Sequence, residues 1–113
     1  MLKIYHNPRC RKSREGLDYL AGKTDKYEIV DYLKIGISAP EVLEIASKMG
    51  EAPSNLVRTQ EDYYKKELKG RDINEDEWAS ILSKNPRLIQ RPMIVTEYKA
   101  VLAQPPEKMD NLL

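Results

Sequence analysis

The sequence predicts a single α/β domain over residues 1–113. Short β-rich segments at residues 2–5 and 27–32 flank a charged helical segment, and this strand–helix–strand spacing indicates a parallel pair joined by a right-handed crossover. An apolar run after Pro92 is typical of a buried central strand. Between the second and third predicted strands lies a helical insert of about residues 38–84.

The first helix is predicted to begin at Arg11. Asn7-Pro8 ahead of it forces a turn, because proline lacks an N–H and biases the residue before it away from the helical conformation. Gly16 on the inner face permits close approach to the sheet, and Gly22 is expected to end the helix. The predicted inner face has helical spacing and consists of Ser13, Gly16, Leu17 and Leu20.

The insert begins with a capping pattern. Ser38 and Glu41 are spaced as a capping box, and Gly50 is expected to stop the helix that follows. Residues 61–68 are charged and interspersed with tyrosines, which predicts a mostly solvated helix. Asn74 is an expected N-cap for a further helix, whose inner face consists of Trp78, Ile81 and Leu82.

The last third of the chain returns to strands. Asn85-Pro86 ends the insert, and Arg91-Pro92 opens the central strand with an immobile turn for which a cis bond is one option. Glu97-Tyr98 is a candidate hairpin turn before a last strand at 99–103. A C-terminal helix from Pro105 is expected to dock through Met109, Leu112 and Leu113. This order is the connectivity of a thioredoxin-like (glutaredoxin-like) fold with a helical insert.

Composition excludes several classes of function. Charged residues make up 33% of the chain but the net charge is only +1, so the protein is not a polycation built for nucleic acid. No apolar run approaches membrane-spanning length, and the N-terminus lacks the apolar stretch of a signal peptide, so we expect no membrane association. One cysteine cannot form an internal disulfide. This fits a reducing cytoplasm and excludes a metal site built on several cysteines; no metal site is predicted.

Residues 6–14 hold the only cysteine and the only histidine. Cys10 lies at the predicted start of a helix, where free N–H groups and the helix dipole favour a thiolate and can lower a thiol pKa from about 8.5 to roughly 3.5–7.5. A lone cysteine is more often an inert small hydrophobe. Here its neighbours make a poor apolar packing surface, since they include Arg9, Arg11, Lys12 and Arg14. We therefore predict that Cys10 is a reactive thiolate beside an oxyanion site.

Ser13 and His6 are candidate supports for that thiolate. Ser13 completes a Cys-x-x-Ser motif, in which serine can hydrogen-bond the thiolate or an anion but cannot form a dithiol couple; alternatively, it faces the sheet. His6 is either an acid–base partner, a cation that lowers the Cys10 pKa, or a strand-end histidine bonded to the backbone. Asn7 is expected to form the turn.

Two distant arginines are candidates for oxyanion binding. Arg58 follows an apolar pair, and Arg91 precedes the central strand near the carboxyl end of the first strand, the edge at which open α/β sheets bind ligands. Planar guanidinium groups suit bidentate binding of oxyanions. Lys65-Lys66, in contrast, is expected to be a solvated helix face.

These motifs together resemble the ArsC/Spx family of thioredoxin-like proteins, and most of all its glutathione- and glutaredoxin-dependent arsenate reductases. The resemblance covers essentially the whole chain. It rests on residues 4–14, 56–58 and 85–95, and on the closing Pro105-Pro106-Glu107.

The resemblance implies that Cys10 attacks arsenate while two side chains support the thiolate and two arginines bind the oxyanion. The supporting residues would be His6 and Ser13, and the arginines Arg58 and Arg91. Glutathione, as co-substrate, would attack the thiol–arsenate adduct, and glutaredoxin would resolve the mixed disulfide, with no bound cofactor. The family's third binding arginine falls at Gln104, which leaves the predicted oxyanion site one charge short.

Two alternatives remain from the sequence. An Spx-like regulator would bind RNA polymerase, but many Spx-type members carry Cys-x-x-Cys as a redox switch, and Ser13 breaks that motif. A glutathione-linked thiol protein would form a mixed disulfide at Cys10 without arsenate activity.

Overall fold

The computed structural model describes residues 2–113 and contains a four-stranded mixed sheet in the order β2-β1-β3-β4. Strand β1 (Lys3–Tyr5) pairs in parallel with β2 (Glu28–Val30) and antiparallel with β3 (Met93–Val95). Strand β4 (Ala100–Leu102) completes the sheet antiparallel to β3. This is the predicted thioredoxin-like fold.

Helices cover both faces of the sheet. On one face, α1 (Arg11–Lys23) and a C-terminal 3-10 helix (Pro106–Leu112) enclose a small core made of Ile4, Leu20, Ile94, Ala103 and Met109. On the other face, α3 (Ala39–Met49) and α4 (Glu75–Lys84) pack over a larger core. None of the helices between residues 2 and 113 is both long and apolar enough to cross a bilayer.

Strand β3 is buried on both faces because side chains alternate across a sheet. Ile94 enters the smaller core, while Met93 and Val95 enter the larger one. This explains the continuous apolar run after Pro92, and the expectation of a central strand there is confirmed.

The predicted helix caps are present. The Ser38 hydroxyl accepts a hydrogen bond from the Glu41 N–H at 3.2 Å, and the Glu41 carboxylate bonds back to the Ser38 N–H. Gly50 adopts the left-handed conformation that ends α3, with φ of 71°. The Asn74 side chain accepts the Glu77 N–H at 2.8 Å at the start of α4.

Several predicted boundaries are wrong. Tyr32 does not extend the second strand, because the Asp31 side chain accepts the Lys34 N–H and caps a short helix, α2 (Tyr32–Ile35). Helix α1 continues past Gly22 to Lys23. The mostly exposed helix expected over residues 61–68 is present, but residues 62–63 are α-helical and Tyr64–Leu68 form a π-helical turn, with Leu68 buried. Leu113 is 49% exposed and does not dock, in contrast to the buried Met109.

The turn before β3 is held against α1. The Arg91-Pro92 peptide bond is cis, which is the option that the sequence analysis named. Gly16 of α1 faces the Pro92 ring so closely that a Cβ at Gly16 would lie 2.5 Å from Pro92 Cγ. The missing side chain therefore lets α1 reach the turn that carries Arg91.

Candidate active site

Cys10 is the N-cap residue of α1. Its φ and ψ are −96° and 124°, and its carbonyl accepts the first helical hydrogen bond, from the Arg14 N–H at 3.0 Å. The thiol makes no side-chain cap hydrogen bond, so the first-turn N–H groups can stabilise a negative charge on its sulfur. The side chain is free and partly exposed, and an external substrate can reach it.

The environment of Cys10 favours the thiolate. Burial raises the pKa of the thiol, but the Ser13 N–H, the Arg91 guanidinium and the Lys12 N–H together outweigh burial and leave the pKa below its ordinary value. Two of these groups belong to the helix start, and the third comes from the turn before β3. The fold therefore favours the thiolate form of Cys10.

The Ser13 hydroxyl lies toward the end of the sheet, and the backbone N–H of Ser13 lies toward the Cys10 thiol. The side chain is fully buried, and its Oγ lies 2.8 Å from His6 Nδ1. The same Oγ accepts the Asn7 N–H at 2.9 Å. The hydroxyl thus braces the loop before Cys10 and is bonded to His6 and Asn7 rather than to the thiol, and it is the backbone N–H of Ser13 that acts on the sulfur.

His6 is buried and uncharged at neutral pH. Burial lowers its pKa, and this effect outweighs the neighbouring Asp31 and the hydrogen bond to Ser13, which raise it. Its backbone N–H donates to the Val30 carbonyl at 2.9 Å. A neutral ring lends no positive charge to Cys10, and a hydrogen bond to Ser13 ties the ring to the start of α1.

Arg91 is a buried cation with a free donor. Its Nη1 donates to the Arg87 carbonyl at 2.9 Å and to the Ile89 carbonyl at 3.3 Å. Its Nε is buried and finds no hydrogen-bond partner anywhere in residues 2–113. A buried guanidinium N–H without an acceptor is costly unless an anion occupies the position it faces.

Arg58 reaches the site from the helical insert. Its N–H donates to the Leu88 carbonyl, and an isolated bridge joins Val57 to Ile89, so the segment is fastened to the chain just before β3. The Arg58 guanidinium pairs with Glu61, with 3.2 Å between Nε and Oε2.

A cavity of about 280 Å³ brings three of the predicted site residues together. Cys10, Arg58 and Gln104 all line it, together with Arg11, Lys12, Gln60 and Gln90. Arg91 does not line this cavity and acts from beside the thiol. Lys65 and Lys66 are exposed, as expected for a solvated face. Across residues 2–113, no group of three or more His, Cys, Asp or Glu side chains is arranged to hold a metal ion.

Two glutamines of the cavity bind backbone carbonyls with their amide nitrogens. Gln104 Nε2 donates to the Arg91 carbonyl, so at least one of its donors is taken. Gln90 Nε2 donates to the carbonyls of Asn55 and Val57 at 3.1 and 3.3 Å. These glutamines stiffen the turn and the Arg58 segment and add no positive charge to the cavity.

Sequence reasoning missed several of these residues. The Glu61 pairing had a visible signal, since opposite charges at i and i+3 are often paired. No sequence signal pointed to Gln60 or Gln90, because uncharged polar residues are common in loops and before strands.

Comparison with known proteins agrees with the fold. Residues 5–112 match the sequence profile of the ArsC family. The arsenate reductase of Haemophilus influenzae is 36% identical over 112 residues, covering 97% of each chain. That of Neisseria meningitidis serogroup A is 32% identical over 114 residues, covering 99% of this chain and 97% of the relative.

A solved structure gives the same result. The arsenate reductase from Vibrio cholerae superposes with a TM-score of 0.92 at 30% identity, covering 99% of this chain and 97% of that one. The chain therefore belongs to the ArsC family.

Proposed function

We propose that the protein is an arsenate reductase in which Cys10 is the nucleophile and glutathione with glutaredoxin is the reductant. The observation that carries the proposal is Arg91: a buried guanidinium with a free Nε beside a thiol of lowered pKa. An arsenate oxygen supplies the acceptor that this Nε lacks, and the thiolate supplies the nucleophile.

In the first step, the Cys10 sulfur attacks the arsenic of arsenate. An S–As bond forms, an As–O bond breaks, and the oxygen leaves as water after it takes up two protons. Arg58 and Arg91 bind the remaining oxygens and offset their negative charge.

In the second step, the glutathione sulfur attacks the Cys10 sulfur of the adduct. An S–S bond forms, and the S–As bond breaks with its electron pair left on arsenic, which becomes arsenite. Cys10 is the only cysteine of this chain, so the thiol that resolves the mixed disulfide comes from another molecule, which we propose is glutaredoxin. Two external thiols thus become one disulfide and supply both electrons.

Coupled turnover tests this proposal. Arsenate-dependent NADPH oxidation is followed with glutathione, glutaredoxin and glutathione reductase, for the wild type and for Cys10→Ser. We expect turnover in the wild type and none in the variant. Full turnover in Cys10→Ser, or none in the wild type, contradicts the proposal.

Intact mass separates this function from a thiol protein without arsenate activity. After treatment with oxidised glutathione, we expect one glutathione adduct on the wild type and none on Cys10→Ser. An adduct without arsenate turnover would favour the simpler thiol protein.

A further inference from the structure

Tyr32 meets Arg91 at a single backbone carbonyl. The Tyr32 side chain is completely buried, and its hydroxyl donates to the Ile89 carbonyl at 3.4 Å. Arg91 Nη1 donates to the same carbonyl at 3.3 Å. A carbonyl oxygen accepts two hydrogen bonds, so the phenol and the guanidinium lie side by side in the interior.

The fold fixes the phenol in this position. Asp31 caps α2 at Tyr32, and the turn out of the sheet directs the Tyr32 ring inward. The ring packs against that of Tyr5, with centroids 6.4 Å apart and planes tilted by 40°. Packing therefore holds the hydroxyl beside the Arg91 guanidinium, which is also a neighbour of Cys10.

The phenol remains uncharged beside the arginine. Burial raises the pKa of Tyr32 to about 12, although Arg91 and Arg58 act in the opposite direction. A neutral partner orients a guanidinium without neutralising its charge, and an acidic one would compete with the thiolate. The Arg91 charge thus stays available to Cys10.

We propose that Tyr32 is a positioning residue that holds the Arg91 guanidinium against the Cys10 sulfur. The arsenate chemistry of this role rests on the proposed function, whereas the effect on the thiol does not. Tyr32 touches neither the cavity nor the sulfur in this arrangement and acts through Arg91.

The test is the pH dependence of Cys10 alkylation by iodoacetamide. Tyr32→Phe removes one oxygen and keeps the ring. Without the hydroxyl, we expect the midpoint of the profile to rise by about half a pH unit, a roughly threefold loss of thiolate below the midpoint. Tyr5→Phe is the matched control, since it removes another buried hydroxyl, bonded to Glu41, and leaves the midpoint unchanged.

A double variant shows whether the effect passes through Arg91. In an Arg91→Gln background, Tyr32→Phe is expected to shift the midpoint no further. An unchanged midpoint in a folded Tyr32→Phe protein overturns the proposal, and so does an equal shift in the Arg91→Gln background. A shifted profile without arsenate turnover would contradict the proposed function and support the role of Tyr32.

If Tyr32→Phe does not fold, an NMR measurement on protein with ¹³C-labelled tyrosine tests the proposal instead. The ¹³Cζ signal of Tyr32 is compared between the wild type and Arg91→Gln. A displaced signal supports the contact, and an unmoved signal overturns it.

Discussion

Arg58 and Glu61 form an ion pair with 3.2 Å between Nε and Oε2, and the two side chains are only 18% and 26% exposed. Arg91, by contrast, has no carboxylate partner within residues 2–113: its Nη1 donates to two neutral carbonyls, and its buried Nε has no hydrogen-bond partner there. The two candidate oxyanion ligands thus differ: one arginine already has a carboxylate partner and the other is free. An incoming oxyanion must share Arg58 with Glu61.

Glu61→Gln is expected to strengthen arsenate binding. The amide keeps the size of the side chain but removes a negative charge beside Arg58, so the oxyanion no longer competes with a carboxylate. A gain of about 1 kcal/mol corresponds to a roughly fivefold lower Kd or KM for arsenate, measured at low ionic strength.

Glu44→Gln is the control for this change. It opens the Glu44–Lys48 pair on α3, which has a similar 3.3 Å separation and does not line the cavity. We expect no change in arsenate binding. Weaker binding in Glu61→Gln would show that the carboxylate positions Arg58 and does not compete for it.

The lowered pKa of Cys10 makes its contribution to stability depend on pH. A folded-state pKa below the ordinary value of a thiol means that the unfolded chain binds the proton more tightly. The stabilisation is therefore fully present above the unfolded-state pKa of about 8.5 and is lost as the pH falls through the folded-state pKa. The free energy of unfolding of the wild type relative to Cys10→Ser, from urea titrations, should be larger at alkaline than at mildly acidic pH. A pH-independent difference would contradict a lowered thiol pKa.

His6 has the opposite pH dependence. Burial lowers its pKa from 6.5, so the unfolded chain binds the proton more readily and the protein loses stability as the pH falls below 6.5. His6 is the only histidine, so its ring protons give a single resolved titration by NMR. We expect a midpoint below 6.5. A midpoint at or above 6.5 would show that burial does not lower the pKa of His6.

Local sequence patterns predicted the framework of the site, but they could not predict its contacts between residues distant in sequence. Cys10 at a helix start and a cis option at Pro92 follow from the chemistry of neighbouring residues, which a sequence displays. Tyr32 meets the Ile89 carbonyl 57 residues away, and β-rich neighbours made its strand assignment reasonable. The Gln104 side-chain amide is oriented by its hydrogen bond to the Arg91 carbonyl, and a backbone acceptor of this kind leaves no pattern in the sequence.

Gly16→Ala is expected to destabilise the protein. The new Cβ would lie 2.5 Å from Cγ of the buried Pro92 ring, and a rigid ring cannot move aside without moving the turn. Overpacking of this kind lowers the free energy of unfolding by about 1–3 kcal/mol. Gly22→Ala in the same helix has open space around it and should stabilise the protein by up to about 1 kcal/mol, since alanine favours the helix. Equal thermal shifts in the two variants would contradict the close contact.

Gln104→Arg is expected to restore the missing charge of the oxyanion site. Gln104 lines the cavity beside Cys10 and Arg58, and an arginine there can still donate one N–H to the Arg91 carbonyl while it presents a guanidinium to the substrate. One added cation should lower the KM for arsenate roughly tenfold. Gln104→Met removes the donor to the Arg91 carbonyl without adding charge, so it separates the two effects and should not improve binding. If Gln104→Arg binds arsenate no more tightly than the wild type, two arginines already suffice for the substrate that this cavity accepts.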